Sequence, residues 1–205
     1  MRTPLLPLVL IAILLCGCER RDDPPAVAPA PVSTPADAFF AALGTLCGQA
    51  YAGALTVSDA RDRETFAGTP VAHIRECSEE EIRIPLHVGE DRSRTWIVSR
   101  VDGGLRLKHD HRHRDGSEDR LTRYGGDSLD AGPGTATRQA FPADAESKAL
   151  FLQAGLTASV DNIWALEVEP GQRLAYELRR PDRHFRIEFD LSRAVDAPPA
   201  PWGQD

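Results

Sequence analysis

The chain has 205 residues and a formal net charge of −7 at pH 7. No basic stripe with interleaved aromatics runs through it, which argues against nucleic acid as a partner. The acidity is a matter of solubility and not of a partner.

Met1, Arg2 and Thr3 precede an apolar run, Pro4 to Leu15. That run is shorter than the ~20 apolar residues a membrane-spanning helix needs. One positive charge, a short apolar stretch and small residues after it predict an export signal over residues 1–17. The run ends Leu15-Cys16-Gly17-Cys18, which resembles the lipobox of bacterial lipoproteins. Cys16 departs from it, since Ala or Ser is commoner in that slot. The resemblance implies cleavage before Cys18 and acylation of Cys18, palmitate included. Two or more acyl chains hold a protein stably to a membrane where one does not. Glu19 stands where an aspartate would be the inner-membrane retention cue. The expected location is therefore the bacterial cell envelope, on the outer membrane facing the periplasm.

Residues 18–35 carry charge and then alternating Pro and Ala, which predicts an extended tether. Residues 194–205, with Pro198, Pro199 and Pro201, read as a disordered tail. Between them, residues 36–193 are long enough for one domain with a real core. Cys47 and Cys77 are expected to form a disulfide, because an exported chain meets oxidising conditions. That bridge closes a loop of about thirty residues, worth ~3 kcal/mol in the chain-entropy model.

The domain opens on a predicted helix, with Thr34 as N-cap, Pro35 in the first turn and Asp37 behind it. Phe39, Phe40, Leu43, Leu46 and Cys47 follow at helical spacing, and Gly48 ends it. A strand through about Val57 and a polar loop, Ser58 to Thr65, come next. Strand signals then recur at Val71–Glu76, Ile82–Val88, Thr95–Val101 and Leu105–Arg114. Pro85 predicts an edge or a bulge. Asp115-Gly116 reads as a two-residue hairpin turn, with Arg120–Tyr124 returning and Tyr124-Gly125-Gly126-Asp127 as a turn. Thr135–Phe141 is a further strand candidate. A second helix is predicted from about Ala143 to Ala154, and the chain ends in a meander: Asn162–Glu169, Leu174–Arg180 and Arg183–Leu191.

Many short strands, tight turns and few helices predict a mostly β (α+β) domain: an antiparallel barrel or sandwich with an N-terminal helix and one inserted helix. Gly48, Tyr51 and Gly53 after a short helix resemble the Gly-x-Trp opening of calycin barrels, although tyrosine replaces tryptophan and the spacing departs by one. The resemblance implies an up-and-down barrel with a basic residue near the opening aromatic, for which Arg183 and Arg186 are candidates. Other antiparallel α+β sheets remain open.

The densest chemical cluster is His109-Asp110-His111-Arg112-His113. Strand alternation puts His109, His111 and His113 on the face that continues Leu105 and Leu107. The opposite face, Arg106, Lys108, Asp110, Arg112 and Arg114, reads as wet. The histidines therefore extend an apolar face from core toward rim. Neutral imidazoles on one face bind Zn²⁺ or Cu²⁺, and a two-residue hairpin would add Glu118 opposite His113. The competing reading is a polar hairpin tip. Trp96 and Trp164 read as core residues. Arg179-Arg180-Pro181-Asp182-Arg183 reads as a solvated turn. The domain carries no Gly-x-Ser-x-Gly, His-Glu-x-x-His or Cys-x-x-Cys, and no cofactor is named by any motif. Three functions compete. One is an envelope lipoprotein binding a small apolar or metal-containing ligand. The second is an interaction protein with no pocket. The third is a hydrolase or lyase using the histidine face.

Overall fold

The structure is a computed structural model and describes residues 33–204. The export signal, Cys18 and most of the tether lie outside the described residues. Among the described residues no helix is long and apolar enough to cross a membrane.

Helix α1, Pro35–Gly44, begins as its sequence predicts. The Thr34 hydroxyl accepts from the Asp37 N–H at 3.1 Å, and the Asp37 carboxylate accepts from the Thr34 N–H at 2.9 Å. This reciprocal cap satisfies two donors the helix cannot satisfy itself. The buried face of α1 is Ala36, Phe39, Phe40 and Leu43. The disulfide joins Cys47 to Cys77, with 6.2 Å between their Cα atoms.

The strands are β1 (Ala50–Val57), β2 (Pro70–His73), β3 (Glu76–Cys77), β4 (Glu81–Val88), β5 (Asp91–Val101), β6 (Gly104–His111), β7 (Tyr124–Asp127), β8 (Arg138–Pro142), β9 (Ile163–Glu169), β10 (Arg173–Arg180) and β11 (Arg183–Asp190). Helix α2 is Ala60–Thr65 and helix α3 is Ala145–Gln153. The sheet runs β7-β6-β5-β4-β2-β1-β11-β10-β9-β8, with β3 also on β4, and every pairing is antiparallel. Each pair along the path joins neighbours in the chain except β2 with β4, which passes over β3, and β1 with β11, where the first strand closes on the last. The result is a nearly closed antiparallel barrel.

The remaining seam lies between β7 and β8, and a helix stitches it. The Ser147 hydroxyl at the start of α3 accepts from the Gly125 N–H at 2.7 Å and donates to the Gly125 carbonyl at 3.0 Å. The Asp144 N–H donates to the same carbonyl at 2.9 Å. Tyr124-Gly125-Gly126-Asp127 is thus strand β7 and not the turn its composition predicts. The glycines serve close approach. A Cβ on Gly125 would lie 1.8 Å from the Leu107 carbonyl oxygen, and one on Gly126 would lie 1.7 Å from that of Pro142.

Other expectations are corrected. Pro85 lies in an interior strand and not at an edge, but at a one-residue register slip of the bulge kind: β2 has ended on Leu86 and β3 has begun on Arg83, so its missing N–H costs no ladder bond. The polar loop Ser58–Thr65 contains α2, capped by Asp59 and Asp62 as α1 is by Thr34 and Asp37. The chain beyond residue 193 is packed on the barrel and not free. Val195 N–H donates to the Ala50 carbonyl at 2.8 Å, and Trp202 N–H to that of Arg92 at 3.1 Å. Arg92 and Arg75 bind the Ala200 and Gln204 carbonyls at 3.1 and 3.0 Å. Prolines lack a donor but keep their carbonyls, so a Pro-rich segment can still be held by arginines and a strand edge. Asp110, on the face expected to be wet, is 1 % exposed. Arg112, Thr122 and the Gln204 amide cover its carboxylate.

Tyr51 of the calycin-like opening faces the core and donates to Gln49 Oε1 at 2.7 Å. Neither candidate arginine meets it. Arg186 lies opposite Val57 at the far end of β1, within a charge network with Glu167, Glu177 and Glu188 on the outer face. Arg183 pairs with Asp62.

Candidate functional site

The two ends of the barrel differ. Helix α1 covers one end: Asp37 pairs with Arg100 near the end of β5, and the Arg100 guanidinium lies 4.5 Å from the centre of the Phe40 ring. Phe39 and Leu43 are fully buried there, with Ile82, Val98, Leu105, Leu174 and Phe189. The other end holds a cavity of about 370 Å³, within the range of about 300–1,000 Å³ typical of small-molecule pockets.

Strand alternation explains how the same barrel does both. Inward residues recur at every second position, and each strand changes character from the α1 end to the mouth. Along β5 the order is Val98, Trp96, Arg94; along β6 it is Leu107, His109, His111. Strand β11 reads Ile187, Phe185, Arg183. Strand β9 reads Leu166, Trp164, and then Asn162 just before it. Aliphatic side chains fill one end, aromatic rings form the walls and polar groups sit at the opening.

The walls pack as aromatic pairs. Trp96 stacks on Tyr176 with ring centres 4.3 Å apart, and His109 stacks on Tyr124 at 4.6 Å. Phe66 packs against Phe185 at 5.0 Å, and Tyr124 against Phe151 at 5.4 Å. The Arg94 guanidinium lies 5.4 Å from the Phe66 ring centre.

His109 is wholly enclosed. Its Nδ1 lies 3.1 Å from the Tyr124 carbonyl oxygen, which only accepts, so Nδ1 carries the proton. Nε2 is then the acceptor, and Tyr176 Oη donates to it at 2.9 Å. Burial, and then the neighbouring His111, push the His109 pKa down to about 3. His111 Nε2 lies 3.0 Å from Tyr124 Oη. Burial and the Arg94 charge push its pKa down to about 4. Burial raises the Tyr124 pKa to about 12 and that of Tyr176 well above the ordinary value. At neutral pH this polar group of four is uncharged.

The histidine face is divided by the structure. His109 and His111 line the cavity, whereas His113 is exposed at the hairpin tip, with Nε2 3.8 Å from Asp119. The tip is also one residue longer than a two-residue turn. Gly116 N–H donates to the His113 carbonyl and His113 N–H to that of Ser117, with Gly116 at φ 85°. This three-residue loop with a glycine bulge sets Glu118 opposite Arg112 and not opposite His113. Glu118 then pairs with Arg112 and Arg123, both at 3.1 Å. The four expected ligands are not brought together, and among the described residues no group of three or more His, Cys, Asp or Glu is placed to hold a metal.

Several site residues escaped the sequence reading. Trp96 and Trp164 are core residues, as expected, and cavity walls as well. Arg183, read as part of a solvated turn, reaches the mouth and pairs with Asp62, which α2 buries to 2 % exposure. Asn162 carried no signal at all, and neither did Arg94. For α2 a signal existed: Asp59 and Asp62 have capping-box spacing. No family model, no curated protein and no solved structure matches this chain.

Proposed function

We propose that the chain is a lipid-anchored protein of the bacterial envelope whose calycin-like barrel takes up a small, largely apolar ligand. The observation that carries the reading is the aromatic-walled cavity of about 370 Å³, open at one end of a barrel whose other end is packed solid. Leu15-Cys16-Gly17-Cys18 supports the anchor, and the Cys47–Cys77 disulfide suits an oxidising compartment. The Pro/Ala-rich stretch after Cys18 would let the mouth reorient relative to the membrane. A metal site is not favoured, because His113 is exposed at the hairpin tip and Glu118 pairs with Arg112 and Arg123. The hydrolase or lyase reading is also not favoured. Both ring nitrogens of His109 are engaged, and the one carboxylate of the lining, Asp119, accepts from the Leu121 N–H at 2.7 Å.

The test uses the uncharged fluorophore N-phenylnaphthylamine. The wild-type chain is expected to bind it saturably, one molecule per chain. Leu178→Trp, which fills the mouth, is expected to abolish binding while leaving the thermal unfolding midpoint in place. No saturable binding, or binding that Leu178→Trp leaves unchanged, overturns the pocket reading. Palmitate labelling that persists in Cys18→Ser overturns the anchor.

A further inference from the structure

Charge around the cavity is already spoken for. Arg94 pairs with Asp91 at 2.5 Å, and Arg183 pairs with Asp62. Neither guanidinium is a free counter-ion for an anionic ligand. Asp119, at the rim, has a side chain 37 % exposed and bound to the Leu121 N–H. Water screens its attraction for a cation. The deeper polar groups, His109, His111, Tyr124 and Tyr176, carry no charge at neutral pH. A ligand charge brought into this space would lose its hydration and gain no partner, which is costly.

Polar capacity nevertheless remains unused. Asn162 is 6 % exposed and lines the cavity, and its side-chain amide makes no hydrogen bond among the described residues. Its Oδ1 is buried without a partner, as is Nε of Arg183, another residue of the lining. Tyr176 has spent its proton on His109, so its oxygen can still accept. Ser159 accepts from Arg180 at 3.3 Å, so its hydroxyl proton is free to donate. Buried polar groups without partners are rare in folded proteins and call for an explanation. Here the buried orphans are the Asn162 oxygen and the Arg183 Nε, and the Tyr176 and Ser159 hydroxyls, each with one partner, keep an acceptor and a donor to spare.

We infer that the cavity takes an uncharged planar aromatic molecule bearing a carboxamide-type edge, with a donor and an acceptor side by side, which pairs with the amide of Asn162. The inference rests on the pocket reading above and adds the class of ligand. The aromatic body lies against the Trp96–Tyr176 and His109–Tyr124 stacks. The ligand carbonyl meets Asn162 Nδ2 or Arg183 Nε, and the ligand N–H meets Asn162 Oδ1.

Three probes of nearly one shape separate the alternatives. Naphthamide has one donor group and one acceptor, naphthoate two acceptors and a negative charge, and naphthamidinium two donor groups and a positive charge. Ethylnaphthalene reports the apolar pocket alone. Calorimetric titration of the full chain is expected to give naphthamide about tenfold or more tighter binding than either ion. Asn162→Leu is expected to lose about tenfold for naphthamide and to leave ethylnaphthalene unchanged. Naphthoate or naphthamidinium binding tightest overturns the inference, as does Asn162→Leu weakening all probes alike. If ethylnaphthalene binds and naphthamide gains nothing over it, the pocket stands and only the ligand class fails. If no probe binds, both fail.

Discussion

The two ends of the barrel are built from the same strands and stabilised in different ways. At the α1 end, Phe39, Leu43, Val98, Leu105 and Leu174 have no polar atom to satisfy and pack to full burial. At the mouth, Trp96, Tyr124, Trp164 and Tyr176 are large rigid rings, two of them with hydroxyls that must reach partners. Rings constrained to meet His109 and His111 cannot also collapse inward to fill the space, so a cavity remains. One end contributes stability through packing, and the other keeps room at some cost to it.

The sharpest test of that contrast is a deletion at each end. Phe39→Ala removes a fully buried ring from the α1 cover and is expected to cost about 3–5 kcal/mol. Phe66→Ala, at a mouth already partly empty, is expected to cost clearly less. Urea unfolding of both variants decides it, and equal losses would mean the ends are not differently packed.

The next largest effect is with pH. His109, His111 and His87 are held neutral by burial, with pKa values lowered to about 3, 4 and 4 from 6.5. The unfolded chain therefore binds more protons than the folded one between those values. Stability is expected to fall as pH drops from about 6.5 toward 4, at about 1.4 kcal/mol per unit of depression per histidine. The carboxylates held near 2, Asp37 and Glu177, lose their contribution only below their ordinary values near 4. The interval from about 6.5 to 4.5 thus belongs to the histidines. Urea midpoints followed over that interval should decline in wild type and decline less in His109→Gln. An identical slope in both would remove His109 from the account.

A smaller effect is expected at the seam. Ser147→Ala deprives the Gly125 N–H and carbonyl of their shared hydroxyl and is expected to cost about 1–3 kcal/mol. Hydrogen exchange at β7 should accelerate more than at β5. Uniform acceleration across the barrel would show that the seam is no weaker than the rest.

Much of the fold was legible because its causes are local. Thr34, Pro35 and Asp37 specify the start of α1 within a single turn. The alternation of Phe185, Ile187 and Phe189 specifies an inward face for β11 whatever lies across from it. The same alternation placed His109 and His111 on the continuation of Leu105 and Leu107, facing the barrel interior. The errors came where a distant partner decides. Gly125 and Gly126 carry turn composition, yet become a strand because β6, Pro142 and Ser147 press on them. A Pro-rich C-terminal segment looks unable to fold, yet is held by Arg75, Arg92 and Ala50. Glu118 was misplaced by one residue of loop length, which moves a side chain to the other face of a strand.

The sequence by itself determined the strand faces, the first helix cap, the pairing of Cys47 with Cys77 and the position of two histidines near an opening. These follow from dihedral preference, period and the chemistry of thiols, all readable along the chain. Only the tertiary structure decided that the barrel nearly closes, that one end is solid and the other hollow, and that Asn162, Tyr176 and Arg183 meet around the hollow. Those are relations between residues far apart in the chain, set by how strands curve together and by which side chains are too rigid to fill the space between them.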